Sequence, residues 1–133
     1  MKYMLMMQFP LSEWRTSRIE LWPQQDVGAH MDYLQRLNRE LVDAGEFVDT
    51  QGLTGPEAAV VVHARKDGTP AVTDGPFPES KEFLAGYLIV DVASPQRAHE
   101  IAAHWSAGPG PGGTPLNLPV IVRPVMQHPA GNA

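Results

Sequence analysis

The run FLAGYLIVDV, residues 83–92, constrains the fold of this chain more than any other segment. It is apolar almost throughout, which is typical of a central strand whose two faces are both covered. Gly86 interrupts the run and indicates either a β-bulge or a close approach of another backbone. The rest of the chain must therefore supply a cover for each face of this strand.

One long amphipathic helix is predicted over residues 26–44. Its apolar positions recur every three or four residues and form one stripe, made of Val27, His30, Leu34, Leu37, Leu41 and Ala44. Asp26 is the expected N-cap of this helix, and Gly45 is its expected C-terminal stop. A second helix is predicted from Pro95, because a serine followed by proline is typical of a helix start.

Further apolar segments predict the other strands, at residues 2–9, 46–53, 58–65, 70–74 and 120–126. The first of them has an apolar residue at every second position, which is typical of a strand with one buried face. The pair Asp67-Gly68 is a strong signal for a two-residue hairpin turn. Residues 11–25 have no clean period and predict an ordered loop with a short helical turn. Residues 106–119 form a glycine- and proline-rich connection.

The predicted order is β-α-β-β-β-β-α-β, a split β-α-β pattern with one added hairpin. Right-handed crossovers around a shared antiparallel sheet give a ferredoxin-like α+β domain, in which both helices cover one face. The chain has no third long helix for the other face, so a second copy is the simplest cover and a homodimer is expected. We expect one domain over residues 1–133, with a loose tail at 127–133.

Composition excludes several classes of protein. The formal net charge is -5 and no basic stripe is present, which disfavours direct nucleic-acid binding. No apolar run is long enough to span a bilayer, and the start MKYMLMMQFP is better explained as a strand than as a signal peptide. The chain has no cysteine, which excludes disulfides and thiolate sites and fits a cytoplasmic protein. Its histidines lack metal-ligand spacing, so neither a metal nor a cofactor is expected.

Four segments carry a resemblance to a known family: MKYMLMM at the start, DAGEF after the first helix, DGPFPESKEFLAGYLIVDVAS in the middle and VRPV near the end. The chain resembles the DGPF-domain family, within the wider YCII-related superfamily, over nearly its whole length. The resemblance implies a dimeric α+β barrel of ferredoxin-like topology. The superfamily includes a dehydrochlorinating enzyme that acts on a hydroxylated aromatic, with a His and an Asp proposed to do the chemistry. DGPF proteins mostly lack an assigned activity, and many are encoded near extracytoplasmic-function sigma factors.

The resemblance implies a catalytic pair made of His30 and Asp74. His30 matches the superfamily's histidine in the first helix, and Asp74 is the best match to its aspartate. Burial and the nearby helix N-terminus both favour the neutral imidazole that a general base requires. Asp74 would then orient the second ring nitrogen. The alternatives are structural: a core histidine bonded to a backbone group, and an aspartate that caps its own turn.

The turn after Asp74 is the expected wall of a ligand pocket, with candidate contacts from Gly75, Pro76, Phe77, Glu79 and Lys81. Gly75 and Pro76 also have a structural reason to be there, because a residue before proline is pushed to extended or glycine-only conformations. Arg123 stands among apolar neighbours, so it is expected either in a buried ion pair with Asp91 or Glu79, or in an anion site. Family members often carry a glutamate where this chain has Ile121.

Two functions therefore stay open at the level of sequence. The first is a lyase- or isomerase-type enzyme that abstracts a proton from a small polar or aromatic molecule. The second is a non-catalytic ligand-sensing or protein-binding module in sigma-factor-linked regulation. A small molecule bound beside His30 would favour the first.

Overall fold

The computed structural model describes residues 1–75 and 81–127. Its strands are β1 (Lys2–Pro10), β2 (Phe47–Gly52), β3 (Val60–Ala64), β4 (Pro70–Asp74), β5 (Glu82–Asp91) and β6 (Val120–Pro124). Four of them form the main sheet in the order β2-β5-β1-β6, and β3 pairs only with β4 in a separate hairpin. The predicted tail lies outside the described residues, except for Gln127.

Three α-helices lie within the described residues: α1 (Trp14–Ser17), α2 (Gln24–Asp43) and α3 (Pro95–Ser106). The helical turn expected in residues 11–25 is α1. The Ser94 side chain caps α3 by accepting the Arg97 N–H at 3.2 Å, as the serine-proline start predicts. Among the described helices, none combines the length and the apolar composition that crossing a membrane requires.

The predicted N-cap of α2 is wrong. The helix begins two residues earlier than expected, with Pro23 at the N-cap position and no side-chain cap. Proline fixes its own φ and lacks an N–H, so a helix can start directly after it without losing a donor. Asp26 consequently lies inside the first turn of α2, where its carboxylate is free to bond elsewhere. The predicted stop is correct, because Gly45 has φ +71° and follows the last turn.

The main sheet has the mixed α+β arrangement that the element order predicts. Every neighbouring pair of its strands is antiparallel. β1 and β2 are separated by β5, and β5 and β6 are separated by β1, so each helix crosses over a strand. This topology is consistent with a ferredoxin-like fold.

Both long helices cover the same face of the main sheet. The buried cluster draws on β1, β5, α2 and α3, and consists of Tyr3, Leu5, Leu37, Leu41, Leu88, Val90, Val92, Ala98, Ile101 and Ala102. Phe47, Val120 and Val122 pack against it from the edge strands. Burial of these side chains is the main favourable contribution to folding, at about 1.5–3 kcal/mol for each large one.

Within one chain, β5 is covered on one face only. Gly86, Leu88 and Val90 are buried, whereas the alternate residues Tyr87 and Ile89 are half-exposed. Direct cross-strand pairs put Tyr87 beside Met6 and Ile89 beside Met4. We call this the open sheet face; it is formed by Met4, Met6, Tyr87, Ile89 and Ile121. No described residue covers it as the helices cover the opposite face.

Gly86 has both features that the sequence indicated as alternatives. The pairing of β1 with β5 shifts beside it, because Met7 faces Gly86 while the next residue faces Leu84. A Cβ atom at Gly86 would also lie 2.9 Å from the carbonyl oxygen of Gln51 in β2. Real Cβ atoms essentially never come this close to another atom, and the atom contacted here belongs to the backbone. Glycine is therefore required at this position.

The predicted β3–β4 hairpin is present, but its turn is one residue longer than the two-residue turn that the sequence predicts. Arg65 faces Thr69, so the turn consists of Lys66, Asp67 and Gly68. Gly68 has φ +87°, a conformation that glycine adopts at little cost. The Asp67 carboxylate accepts hydrogen bonds from the backbone and hydroxyl of Thr69. At the other end, the Gly75 N–H donates to the carbonyl of Ala59 at 3.0 Å and closes the base of the hairpin.

Candidate functional site

His30 lies half-buried on α2, at the side of the helix that meets the chain after α3. Its Nδ1 atom is 3.0 Å from the carbonyl oxygen of Pro109. The indole of Trp22 meets the imidazole edge-on, with ring centroids 5.4 Å apart and an interplanar angle of 86°. Gly108 lies against the same ring, since a Cβ there would be 3.5 Å from Cε1 of His30.

The Pro109 carbonyl determines the tautomer of His30. A carbonyl oxygen only accepts hydrogen bonds, so Nδ1 must carry the proton that is donated. Burial lowers the pKa of His30 below its ordinary value of 6.5, and the hydrogen bond to Pro109 opposes that shift in part. The imidazole is therefore neutral at pH 7, with the proton on Nδ1 and a lone pair on Nε2.

The Nε2 atom of His30 is the nitrogen that remains available. No described residue forms a hydrogen bond with it. Within residues 1–75 and 81–127, no buried side-chain nitrogen or oxygen lacks a hydrogen-bond partner. Among the described residues, Nε2 therefore reaches the molecular surface. A neutral ring with one bonded and one accessible nitrogen is the arrangement in which histidine accepts a proton.

His30 is the middle member of a polar row on α2. Residues three or four positions apart on a helix share a face. Each member of the row, Asp26, His30 and Tyr33, forms a hydrogen bond with a backbone atom, either in the last turn of α3 or in the segment that follows α3. The three hydrogen bonds are Gly112 N–H to Asp26 (3.3 Å), His30 to the Pro109 carbonyl (3.0 Å) and Tyr33 hydroxyl to the His104 carbonyl (2.6 Å). Residues 108–117, which we call the His30 loop, are held against α2 in this way.

The structure does not pair His30 with Asp74. Asp74 ends β4, is exposed, and faces Val60 across the hairpin. No hydrogen bond or ion pair joins its carboxylate to His30. The Pro109 carbonyl instead has the orienting position that the sequence hypothesis gave to Asp74. The turn that Asp74 would cap lies outside the described residues.

The other predicted contacts are dispersed. Pro76, Phe77 and Glu79 lie outside the described residues. The backbone of Gly75 closes the hairpin, and Lys81 has an exposed side chain while its carbonyl accepts the Leu11 N–H at 2.8 Å. In the described part of the chain, no group of three or more metal-ligating side chains could hold a metal ion.

The prediction of a buried ion pair at Arg123 is wrong. Its side chain is exposed, because Arg123 pairs with Met4 on the open sheet face. Asp91, one of its two expected partners, bonds the N-terminal amino group of Met1 at 2.9 Å instead. Arg123 also lies on the side of the sheet opposite the helices. It therefore cannot share a site with His30 inside one chain.

A separate groove of about 380 Å³ opens at the end of the main sheet, and its walls are Leu53, Thr54, Gly55, Pro56, Ala58, Ala59, Phe83 and Leu84. An aromatic cluster of Phe9, Trp14 and Phe83 backs it with edge-on and tilted ring contacts. The Trp14 indole N–H donates to Glu57 at 2.8 Å. His30 is not among the residues of this groove.

The residues that surround His30 could not be predicted from sequence patterns. Trp22 lies in a segment without period, and Pro109 contributes only a backbone carbonyl, which every residue type possesses. The signal that was present is the run GPGPGG, because so many glycines and prolines specify a shaped loop. Nothing in that run indicates which side chain the loop contacts.

Comparison with known proteins identifies the family of this chain. The family described as "YCII-related domain" matches residues 1–108, which include His30 and Asp74. A protein of Rhizobium meliloti (strain 1021), named "Uncharacterized protein R00369", is 30% identical over 104 residues. That similarity covers 77% of this chain and 83% of the Rhizobium protein, whose name states no activity.

Proposed function

The chain belongs to the YCII-related family, and from this premise we propose that His30 accepts a proton from a small polar or aromatic molecule in a lyase- or isomerase-type reaction. One observation carries the proposal. The half-buried imidazole is neutral, its Nδ1 is committed to the Pro109 carbonyl, and its Nε2 is accessible. The family description itself states no reaction.

The proposed step begins with the Nε2 lone pair. It takes a proton from an acidic C–H or O–H group of the ligand, and the electron pair of that bond stays on the ligand. In a lyase the pair forms a new double bond as a leaving group departs with its own bonding pair. In an isomerase the imidazolium returns the proton to another atom of the ligand. The Nδ1–H bond to Pro109 becomes charge-assisted during this step and stabilises the imidazolium.

The class of ligand follows from the weakness of this base. Burial makes the imidazolium costly, and a neutral carbonyl stabilises it less than a carboxylate would. Because proton transfer is efficient when the acidities of donor and acceptor are similar, His30 is suited to a ligand whose proton is already acidic. A hydroxylated aromatic, or a carbon flanked by two carbonyl groups, fits this description. The Trp22 indole, whose ring centroid is 5.4 Å from that of the imidazole, offers an apolar surface beside such a molecule.

The remaining predicted contacts belong to a second region in this proposal. Asp74, Gly75 and Lys81 flank residues 76–80 in the chain, and Gly75 bonds Ala59, a residue of the 380 Å³ groove. We propose that these residues serve ligand binding apart from His30. Arg123 is proposed as an anion contact on the open sheet face, where its guanidinium is exposed.

A homodimer in the form of an α+β barrel is also part of the proposal. A second copy would cover the open sheet face, on which Met4, Met6, Tyr87 and Ile89 are partly exposed and Ile121 is 46% exposed. Charge complementarity supports this occupant. Asp49 lies on edge strand β2 and Arg123 on edge strand β6. A two-fold axis along the strands brings each edge over the opposite edge of its partner, so the acidic edge meets the basic edge.

Proton exchange tests the enzymatic proposal without a known substrate. Small hydroxylated aromatic and carbonyl compounds are incubated with the protein in D2O, and deuterium incorporation at carbon is followed by NMR. Wild-type protein is expected to accelerate exchange for at least one compound, and His30→Gln is expected to reduce that rate by about 10²–10⁴-fold. His99→Gln serves as the matched control and is expected to retain the wild-type rate, because His99 is exposed on α3. Absence of exchange with every compound contradicts the enzymatic proposal.

The second candidate function is the non-catalytic module that acts on a protein or ligand in sigma-factor-linked regulation. One observation favours it: β3 and β4 expose Val60, Val62 and Val72, with more than half of each side chain in solvent. The same deuterium experiment separates the two functions, because a binding module leaves exchange at the rate of buffer alone. A partner would then be sought by testing which added protein or ligand slows hydrogen exchange at the backbone amides of the β3–β4 hairpin.

A further inference from the structure

We infer that Gly110 is a positioning residue for His30, because it fixes the backbone carbonyl that selects the tautomer of the imidazole. The inference deepens the proposed function, on which its catalytic meaning rests. The tautomer itself is a property of the free protein and is measurable without any ligand.

The His30 loop holds Pro109 from both sides. The carbonyl of Gly108 accepts the N–H of Leu116 at 2.9 Å, and the N–H of Gly110 donates to the carbonyl of Thr114 at 2.7 Å. Proline has no N–H, so the carbonyl is the one backbone hydrogen-bonding group that Pro109 has. With its two neighbours bonded across the loop, that carbonyl is directed at Nδ1 of His30.

Gly110 has no room for a side chain. A Cβ there would lie 2.6 Å from Cδ2 and 3.1 Å from Cγ of Leu116, and 3.3 Å from the carbonyl oxygen of Thr114. That oxygen is the acceptor of the Gly110 N–H itself. A methyl group must therefore displace the Leu116 side chain or stretch the Gly110–Thr114 hydrogen bond. Because Leu116 is itself bonded to Gly108 and Thr114 to Gly110, we expect this disturbance to shift the Pro109 carbonyl that lies between the two bonds.

The expected consequence appears at the other ring nitrogen of His30. When the Pro109 carbonyl withdraws, nothing obliges Nδ1 to keep the proton, and the neutral ring is free to carry it on Nε2. The accessible nitrogen is then a donor without a lone pair and cannot accept a proton. Gly110 thus acts on the reactive atom through Pro109, although it does not contact His30.

Nitrogen NMR of the imidazole tests this in the full-length protein labelled with ¹⁵N. At pH 8 the wild-type ring is expected to show a protonated Nδ1 and a bare Nε2, as one tautomer. Gly110→Ala is expected to lose this single-tautomer signature and to show protonated Nε2. A wild-type ring with the proton on Nε2 overturns the inference, and so does a Gly110→Ala protein that keeps the pure Nδ1–H form.

Two further variants separate positioning from general damage. Gly28→Ala introduces the same methyl group on α2, two residues before His30, with no atom within 4 Å of the new Cβ, and is expected to keep the wild-type tautomer. Gly110→Ala combined with Leu116→Ala removes the nearest clash and is expected to restore the Nδ1–H form at least in part. The double variant also gives a reading if Gly110→Ala alone does not fold. If the double variant folds and shows protonated Nε2 throughout, the steric route is excluded and the inference fails.

Failure of the inference and failure of the proposed function give different results. If wild type has a fixed Nδ1–H tautomer that Gly110→Ala disturbs, but no compound exchanges deuterium, then Gly110 positions His30 and the catalytic role of His30 is excluded. If deuterium exchange depends on His30 but Gly110→Ala changes neither the exchange nor the tautomer, then the catalytic role of His30 stands and the positioning role of Gly110 is excluded.

Discussion

His30 and Pro109 are 79 residues apart in the chain, and the imidazole Nδ1–H of the first donates to the carbonyl of the second over 3.0 Å. This donor is present whether the ring is neutral or protonated. Uptake of a proton therefore changes only Nε2 and leaves the contact between α2 and the His30 loop in place. The site can gain and lose a proton without a rearrangement of its scaffold.

The stability of the protein should depend on the protonation of His30. Its folded-state pKa lies below the ordinary value of 6.5, mainly because burial disfavours the charged ring. The unfolded chain therefore binds the proton more readily, and the free energy of unfolding should fall as the pH drops below about 6.5, until the pH passes the folded-state pKa. Denaturant titrations between pH 8 and pH 5 measure this slope. His30→Gln should flatten it, and an unchanged slope in that variant contradicts the assignment.

His30 and Asp74 should behave as independent residues in a double-mutant cycle. They share no hydrogen bond, and Asp74 lies on the hairpin outside the main sheet. The stability changes of His30→Gln and Asp74→Asn should add to within about 0.3–0.5 kcal/mol in the double variant. Urea unfolding of the four proteins is the measurement. A coupling energy above about 1 kcal/mol would restore the His-Asp pair that the family resemblance implies.

Met6→Glu should weaken the proposed homodimer. Met6 lies on the open sheet face between Tyr87 and Ile121, so a second copy would bury the new carboxylate. An unpaired buried charge is strongly disfavoured. Light scattering across a concentration series should show dimer mass for wild type and a shift towards monomer for the variant. Val42→Glu is the control, because Val42 is exposed on α2, on the helical side of the sheet. A wild-type monomer at micromolar concentration rules out the dimer.

Gly86→Ala should destabilise the fold by roughly 1–3 kcal/mol, the usual cost of forcing extra atoms into a packed region. The added methyl would press on the Gln51 carbonyl oxygen, which β2 cannot move without breaking its pairing with β5. Gly52, which faces Gly86 across the sheet, has no atom within 4 Å of an added Cβ. Thermal melts should therefore show a clear loss for Gly86→Ala and little change for Gly52→Ala. Equal melting temperatures for the two variants would show that β2 yields at this point.

Glu46→Gln should lower stability by about 1 kcal/mol, since it removes the charge from a forked bond with Arg97 that is partly screened by solvent. The Arg97 Nε and Nη2 atoms donate to the Glu46 carboxylate at 2.8–3.2 Å, and this hydrogen bonding lowers the Glu46 pKa. The stabilisation is present above the ordinary pKa of 4.5 and is lost as the pH falls through the lowered one.

Glu100→Gln is the matched control for that experiment. Glu100 pairs with the same Arg97 at 3.2 Å, but its side chain is 64% exposed against 15% for Glu46. Its replacement should change the free energy of unfolding by less than about 0.5 kcal/mol. A larger effect for Glu100 than for Glu46 would reverse the assignment of the stabilising pair.

Features fixed by a few neighbouring residues could be predicted from the sequence. The Ser94 cap, the Gly68 turn and the glycine requirement at Gly86 depend on local backbone conformation or on the pattern of one strand. The start of α2 could not be fixed in this way, because Pro23 and Asp26 are both start signals. The earlier of the two begins the helix, and Asp26 bonds the His30 loop instead.

The candidate site was predictable only in part. His30 could be selected by its position in an apolar stripe and by the family resemblance. Its hydrogen-bond partner, the Pro109 carbonyl, could not be predicted, because every residue type has a backbone carbonyl. The chain also returns to α2 only after crossing the sheet. Arg123 was misjudged for a related reason. Its apolar neighbours along the strand suggested burial, but alternate residues of β6 point to opposite faces, and one of those faces is open.

The separation of the β3–β4 hairpin from the main sheet has a consequence for variation in chain length. None of its strands pairs with the four-stranded sheet, and its turn at Asp67-Gly68 is exposed. A two-stranded hairpin is only marginally stable by itself, so it can open locally while the sheet stays folded. Residues inserted at that turn would cost mainly loop entropy, which grows slowly with length. The hairpin is therefore the place where the chain can be extended, or carry a reporter group, with the smallest effect on the core and on His30.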